Sequence, residues 1–151
     1  MKTTDGGNIW SVQKSNTYFT LKGIYFTNAL TGFASGGDES KSTGLILKTT
    51  NGGEIWNASY INLSKGIIAS VFFTDISNGY ACGANGIILK TTDCGLTWNE
   101  NKEIPFDLHS ISFKDSLNGL VCGSDGSVYK TNDGGLNWNY IKSGVYKNLF
   151  S

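Results

Sequence analysis

Four near-copies of one nonapeptide, KTTDGGNIW, KTTNGGEIW, KTTDCGLTW and KTNDGGLNW, place tryptophans at 10, 56, 98 and 138, at spacings of 46, 42 and 40 residues. Self-similarity with a period of about 40–50 residues belongs to propeller blades or to certain helical arrays, in which each unit buries its apolar face against its neighbours. The residues between the tryptophans decide for strands. GIYFTN, SVFFTD and SISFKD are followed by TGFASG, NGYACG and NGLVCG, then by GLILKTT, GIILKTT and GSVYKTN. Short β-branched and aromatic runs punctuated by Asn-Gly, Asp-Gly and Gly-Gly predict hairpins. Each unit therefore reads as four antiparallel strands, A to D. Strand A runs through Phe26, Phe73 or Phe113, B through Gly32, Gly79 or Gly119, C ends at the lysine, and D carries the tryptophan. The fold class is all-β, a β-propeller of four-stranded antiparallel blades.

The repeated turn has a physical rationale. In Thr-x-Asp-x-Gly-x-x-Trp, a carboxylate folds back onto backbone N–H groups of its own turn, and glycine supplies the positive φ of a tight connection. The tryptophan then packs over the turn. Structural roles follow for Thr3, Asp5, Gly7 and Trp10; Thr49, Asn51, Gly53 and Trp56; Thr91, Asp93, Gly95 and Trp98; and Thr131, Asp133, Gly135 and Trp138. Asn51 replaces the acid in the second copy, a swap that a turn tolerates and a charge-dependent reaction does not. Asn28, Asp75 and Asp115 recur at the A–B connection and read as turn formers too.

These motifs resemble Asp-box (BNR) repeats, and the longer unit NGYACGANGIILKTTDCGLTW is similar to the repeat of the photosystem II stability/assembly-factor family. The resemblance implies a β-propeller and, in function, a non-catalytic module that binds a macromolecule or acts as an assembly scaffold. Asp-box propellers also include glycosidases, so the alternative is a glycoside hydrolase fragment whose catalytic residues lie in other blades. The resemblance favours an extracytoplasmic location, secreted, periplasmic or at a surface.

Alignment of the units divides the chain into residues 1–14, the end of a first blade; 18–60, 66–104 and 106–142, three full blades; and 143–151, the start of a further one. Met1 aligns with Leu47, Leu89 and Tyr129, and Leu149, Phe150 and Ser151 with Leu108, His109 and Ser110. Three blades and two fragments fall short of the about 4–8 that close a ring. The expectation is a partial propeller whose free edges are met by further blades of the same chain or by self-association.

Composition narrows the partners. Twelve acidic side chains balance twelve basic ones, so no net field draws the protein onto nucleic acid. All twelve cations are lysine; without arginine's planar fork, a sialidase-type clamp on a substrate carboxylate has no residue to build it. No apolar run reaches the roughly 20 residues of a membrane span. The three cysteines lack metal-ligand spacing and His109 is the single histidine, so neither metal nor cofactor is expected.

Binding residues concentrate on loops that vary over a rigid scaffold. The B–C and D–A connections vary here, and the longest, GGDESKSTG, accounts for most of the longer repeat interval. A protein or glycan partner is expected to touch Asp38, Glu39, Lys41, Asn85, Asp107, His109 and Asp125. No catalytic residue is assigned. Once turn acids are set aside, Asp38, Glu39, Glu54, Glu100, Glu103 and Asp107 remain, with no pairing of the kind two-carboxylate hydrolysis requires.

Overall fold

Twelve strands form three antiparallel four-stranded sheets in a computed structural model that describes residues 1–150 and, for Lys102 and Glu103, the backbone alone. Ser151, aligned above with Ser110, lies outside the described residues. The first sheet holds β1 (Thr20–Phe26), β2 (Gly32–Asp38), β3 (Thr43–Thr49) and β4 (Asn57–Asn62). The second holds β5 (Ile68–Phe73), β6 (Gly79–Gly83), β7 (Ile87–Thr91) and β8 (Asn99–Glu103). The third holds β9 (Leu108–Phe113), β10 (Gly119–Gly123), β11 (Ser127–Thr131) and β12 (Asn139–Lys142). Each is a meander in which sequential strands pair, and β5 packs against both β1 and β9, so the first strands of the sheets line up side by side. This is the blade arrangement of a propeller, in an all-β chain.

The tryptophans depart from the expected strand assignment. Trp56, Trp98 and Trp138 each stand one residue before β4, β8 and β12, at the end of the turn rather than in the ladder. The Trp56 and Trp138 rings lie over their turn glycines; a Cβ on Gly53 would stand 3.6 Å from the Trp56 indole and one on Gly135 3.7 Å from that of Trp138. Gly53, Gly95 and Gly135 have φ of +92°, +68° and +81°, a region that side chains resist. The first repeated turn is flanked by one bridge, Lys2 to Ser11, instead of a ladder.

Side chains alternate across the strands, so the middle sheet is buried on both faces. Ala81, Ile87, Leu89 and Phe73 face Phe33 and Ile46 of the first sheet. Tyr80, Cys82 and Ile88 face Leu108, Ile111, Phe113 and Val121 of the third. At each interface a ring from the second strand of one sheet stacks on a phenylalanine from the first strand of the next. Phe33 lies over Phe73 at 4.2 Å between centroids, and Tyr80 over Phe113 at 4.0 Å. The tryptophan closes the cluster edge-on, with Trp98 5.9 Å from Phe73 and Trp138 6.0 Å from Phe113. Aromatic pairs in these geometries contribute beyond the area they bury.

Candidate binding surface

Two ends of the blades differ in how their polar groups are used. At one end, the repeated turns consume theirs internally. Thr49, Thr91 and Thr131 are buried, and each hydroxyl accepts the N–H four residues on, from Gly53, Gly95 and Gly135 at 3.0, 2.9 and 2.9 Å. The same hydroxyl donates to Asn51, Asp93 or Asp133 at 2.9, 2.8 and 2.8 Å. Asp93 Oδ1 accepts the N–H groups of Leu96 and Thr97, and Asp133 Oδ1 accepts that of Asn137. In the first copy, Thr3, Asp5 and Gly7 make the same bonds, and Trp10 Nε1 donates to the Gly7 carbonyl at 3.0 Å.

Hydrogen bonding to the charged form lowers a carboxyl pKa. The Thr97 hydroxyl and N–H hold Asp93 at about 2, and the N–H and side-chain amide of Asn137 hold Asp133 at about 2. Groups so engaged have little left to offer a ligand. Neighbouring A–B turns brace this end, since Leu30, Ser77 and Leu117 accept the N–H groups of Gly52, Cys94 and Gly134.

The B–C turns stand at the opposite end of the sheets. The first, with a 3₁₀ turn at Glu39–Lys41, closes on itself: Asp38 Oδ1 accepts from Ser40 N and Oγ at 3.0 and 2.6 Å, and Asp38 pairs with Lys41 at 3.5 Å. The Ser40 hydroxyl, helped by Lys41, lowers the Asp38 carboxyl pKa. Glu39 pairs with Lys22 at 3.5 Å. These contacts join the loop to itself and, through Lys22, to β1, with Glu39 and Lys41 still exposed.

The second and third B–C turns meet the connections of the following blades. Asn85 and Asp125 sit at φ +54°, the left-handed conformation that Asn and Asp tolerate. The N–H of Asn85 donates to Asp107 Oδ1 at 2.8 Å, and that of Ser124 to the Asp107 carbonyl at 2.9 Å. Asn85, Asp107 and Asp125 converge with Ile104, Pro105, Phe106 and Ser124 around an open cavity of about 430 Å³. His109 stands behind it, Nε2 3.3 Å from Ser124 Oγ, its ring stacked on Phe150 at 4.7 Å. Ile104, Pro105 and Phe106 lie in the D–A connection before β9, within the stretch from Asn101 to His109 expected to form this face, although Asp107 and His109 alone were singled out there.

Of the acids left over from the turns, Glu100 pairs with Lys65 at 2.5 Å. Glu103 lies outside the described side chains. Among the described residues no three His, Cys, Asp or Glu side chains gather as metal ligands, and no helix is long and apolar enough to cross a membrane.

A sequence profile for photosynthesis system II assembly factor YCF48 matches residues 55–146, which takes in the second and third of these sheets. The chain belongs to the YCF48 family. Among solved structures it is similar to YCF48 bound to D1 peptide, at 23% identity with a TM-score of 0.76, over 91% of this chain and 45% of that one. It is similar to YCF48 from Cyanidioschyzon merolae at 23% identity and a TM-score of 0.64, over 82% of this chain and 37% of that one. A glycoside hydrolase of family GH74 from Niastella koreensis shares 17% identity and a TM-score of 0.63, over 82% of this chain and 22% of the enzyme. The chain spans less than half the length of each, and at these identities the likeness speaks for the fold. No curated protein sequence matches the chain.

Proposed function

We propose that this YCF48-family chain is a non-catalytic binding module that holds a segment of a protein partner against its B–C and D–A loops during assembly. The cavity where Asn85, Asp107 and Asp125 converge carries the reading, because it joins polar groups to an apolar wall on loops fixed by a rigid scaffold. One of the similar structures holds a D1 peptide, and a peptide is the ligand class we adopt here. Carboxylates and amides line the polar side, so the segment preferred is one that presents N–H donors or an ammonium group. We further read the repeated turns as Asp boxes of structural role. Residues 18–60, 66–104 and 106–142 are read as blades, 1–14 and 143–151 as parts of neighbouring blades, and the protein as extracytoplasmic.

Asp107→Asn with Asp125→Asn keeps shape and one acceptor while removing charge. It is expected to weaken capture of a protein partner by about tenfold or more, as for loss of a charge-assisted bond. Asp38→Asn with Glu39→Gln, in the self-paired loop, serves as the comparison. Equal capture by all three proteins, scored by pull-down from the source organism, would overturn the reading. The GH74 likeness makes sugar release from an oligosaccharide panel the second readout. Turnover there would replace binding by hydrolysis.

A further inference from the structure

The end of the sheets that carries the repeated turns keeps its polar groups engaged and its aliphatic ones bare. Leu30, Ile76 and Leu117 stand on the A–B turns and Ile55, Leu96 and Leu136 on the repeated turns, all between 53% and 72% exposed. Within each sheet a backbone bond ties the two turns together, from Gly52 N to the Leu30 carbonyl at 2.7 Å, Cys94 N to that of Ser77 at 3.0 Å and Gly134 N to that of Leu117 at 2.9 Å. Lysines tie the sheets to one another. Lys48 Nζ donates to the Cys94 carbonyl at 2.6 Å and Lys90 Nζ to the Gly134 carbonyl at 2.8 Å. The aliphatic side chains are therefore carried on one braced surface rather than on independent loops.

Each turn keeps one exposed aliphatic residue although its place moves. In the second repeated turn it is Ile55, directly before Trp56; in the third and fourth it is Leu96 and Leu136, one residue earlier, and Thr97 and Asn137 use the vacated place to donate to Asp93 and Asp133. The A–B turns shift in the same way, with Ile76 one place before the position of Leu30 and Leu117. A protein groove that reads shape would register such a shift, whereas a fluid hydrocarbon layer does not. The turn carboxylates are already served from within. Asp75 Oδ1 accepts from Ser77 N and Asn78 N at 2.7 and 2.8 Å, and Asp115 Oδ1 from Leu117 N and Asn118 N at 2.9 and 2.8 Å, as Asp93 and Asp133 accept from their own turns. Polar groups bonded internally are the ones an interface with lipid tolerates. Lys48, Lys90, Lys114 and Lys130 stand at this end, and with Glu54 the turn acids outnumber them, so no cationic excess draws it onto anionic lipid.

We infer that this end of the sheets rests on a lipid layer of uncharged headgroups, with the aliphatic tips of the A–B and repeated turns entering the boundary between headgroup and acyl chain. Exposed apolar surface gathered on one face marks an interaction site, and shallow burial of apolar side chains is how a protein lies on a bilayer without crossing it. The loop cavity stands at the opposite end of the sheets and faces the water phase in this orientation. Lipid and a partner held in that cavity therefore do not compete.

The probe is a phosphatidylcholine vesicle, floated with the intact chain through a density gradient. Reversible association is expected, of the order of the 10⁴ M⁻¹ that one acyl chain gives, and unchanged in about 1 M salt, where charges are screened beyond about 3 Å. Leu96→Ser with Leu117→Ser and Leu136→Ser should weaken it about tenfold or more while leaving the melting curve in place, because these side chains are exposed. Leu63→Ser at the loop end, and Leu120→Lys with Ile141→Lys on the outer face of the third sheet, should float like the parent. No flotation, flotation that needs phosphatidylglycerol and is lost in salt, or equal flotation of the triple variant would each overturn the inference. So would loss of flotation in either of the other two proteins, which would put the contact elsewhere, or a dimer that the triple variant abolishes, which would assign the face to a second copy.

Discussion

At the scale of single residues, the threonine of the repeated turn is as consequential as the aspartate. Thr131 is fully buried, and its hydroxyl serves three bonds, accepting from Asp133 N and Gly135 N and donating to Asp133. Thr131→Val keeps the volume and leaves the N–H of Gly135 unpaired, at an expected cost of about 1–3 kcal/mol, to be measured by urea denaturation. The aspartates supply a pH dependence. Asp93 and Asp133 titrate near 2 in the folded protein against an ordinary value of 3.8, so between these pH values the unfolded chain binds protons that the folded one refuses. Their contribution is complete above about pH 5 and is lost as pH falls toward 2. The second copy, with Asn51, lacks it. Asn51→Asp is expected to raise Tm by about 2–4 °C at pH 7 and to leave it unchanged at pH 2, as thermal scans at the two pH values would reveal.

At the scale of elements, the contact between sheets is directional. Rings and lysines of one sheet reach the turn of the next, and β4 and β8 add polar contacts of their own, from Ser59 Oγ to the Gly95 carbonyl and from Asn101 Nδ2 to the Gly135 carbonyl. Phe33→Ala empties a fully buried site and should cost about 3–5 kcal/mol. Leu120→Ala, at the matching place on β10 and 48% exposed, should stay within about 0.5 kcal/mol; paired denaturation curves test the difference. The strands were legible because alternation and turn chemistry are local, and GYACG or GIILKTT carry both. Trp56, Trp98 and Trp138 were misplaced by one element because an aromatic beside a β-branched run looks like strand until its packing is seen, over Gly53 and Gly135 for Trp56 and Trp138 and against Phe33 and Phe73 for Trp98. The loop cavity was only half legible. Asn85 and Asp107 are 22 residues apart, and what joins them is the stacking of one sheet on the next, which no local pattern encodes.

At the scale of the whole molecule, burial is uneven across the three sheets. The outer face of the third carries Leu120 and Ile141 at 48% and 39% exposure, and every residue of β12 is exposed. An open edge beside an apolar face is a template for pairing. We propose that residues 1–151 alone self-associate at micromolar concentration, and that Leu120→Lys with Ile141→Lys shifts the population toward monomer. Light scattering on the two proteins decides it, and a parent that stays monodisperse and monomeric would count against the idea.

The lysine next to last in β3 and in β7, and Lys2 in the first copy, rests on the following turn, with a consequence for how such a protein grows. Lys2, Lys48 and Lys90 all point the same way along the chain. Every stretch of some forty residues therefore contains one plug and one receptacle, wherever the stretch is taken to start. A tandem duplication of that length inherits a working junction on both sides without a single compensating substitution, whereas an inversion or a graft in reverse order would bring plug to plug. Blade number is then free to vary by copying, and curvature, rather than chemistry, decides when the ring is full.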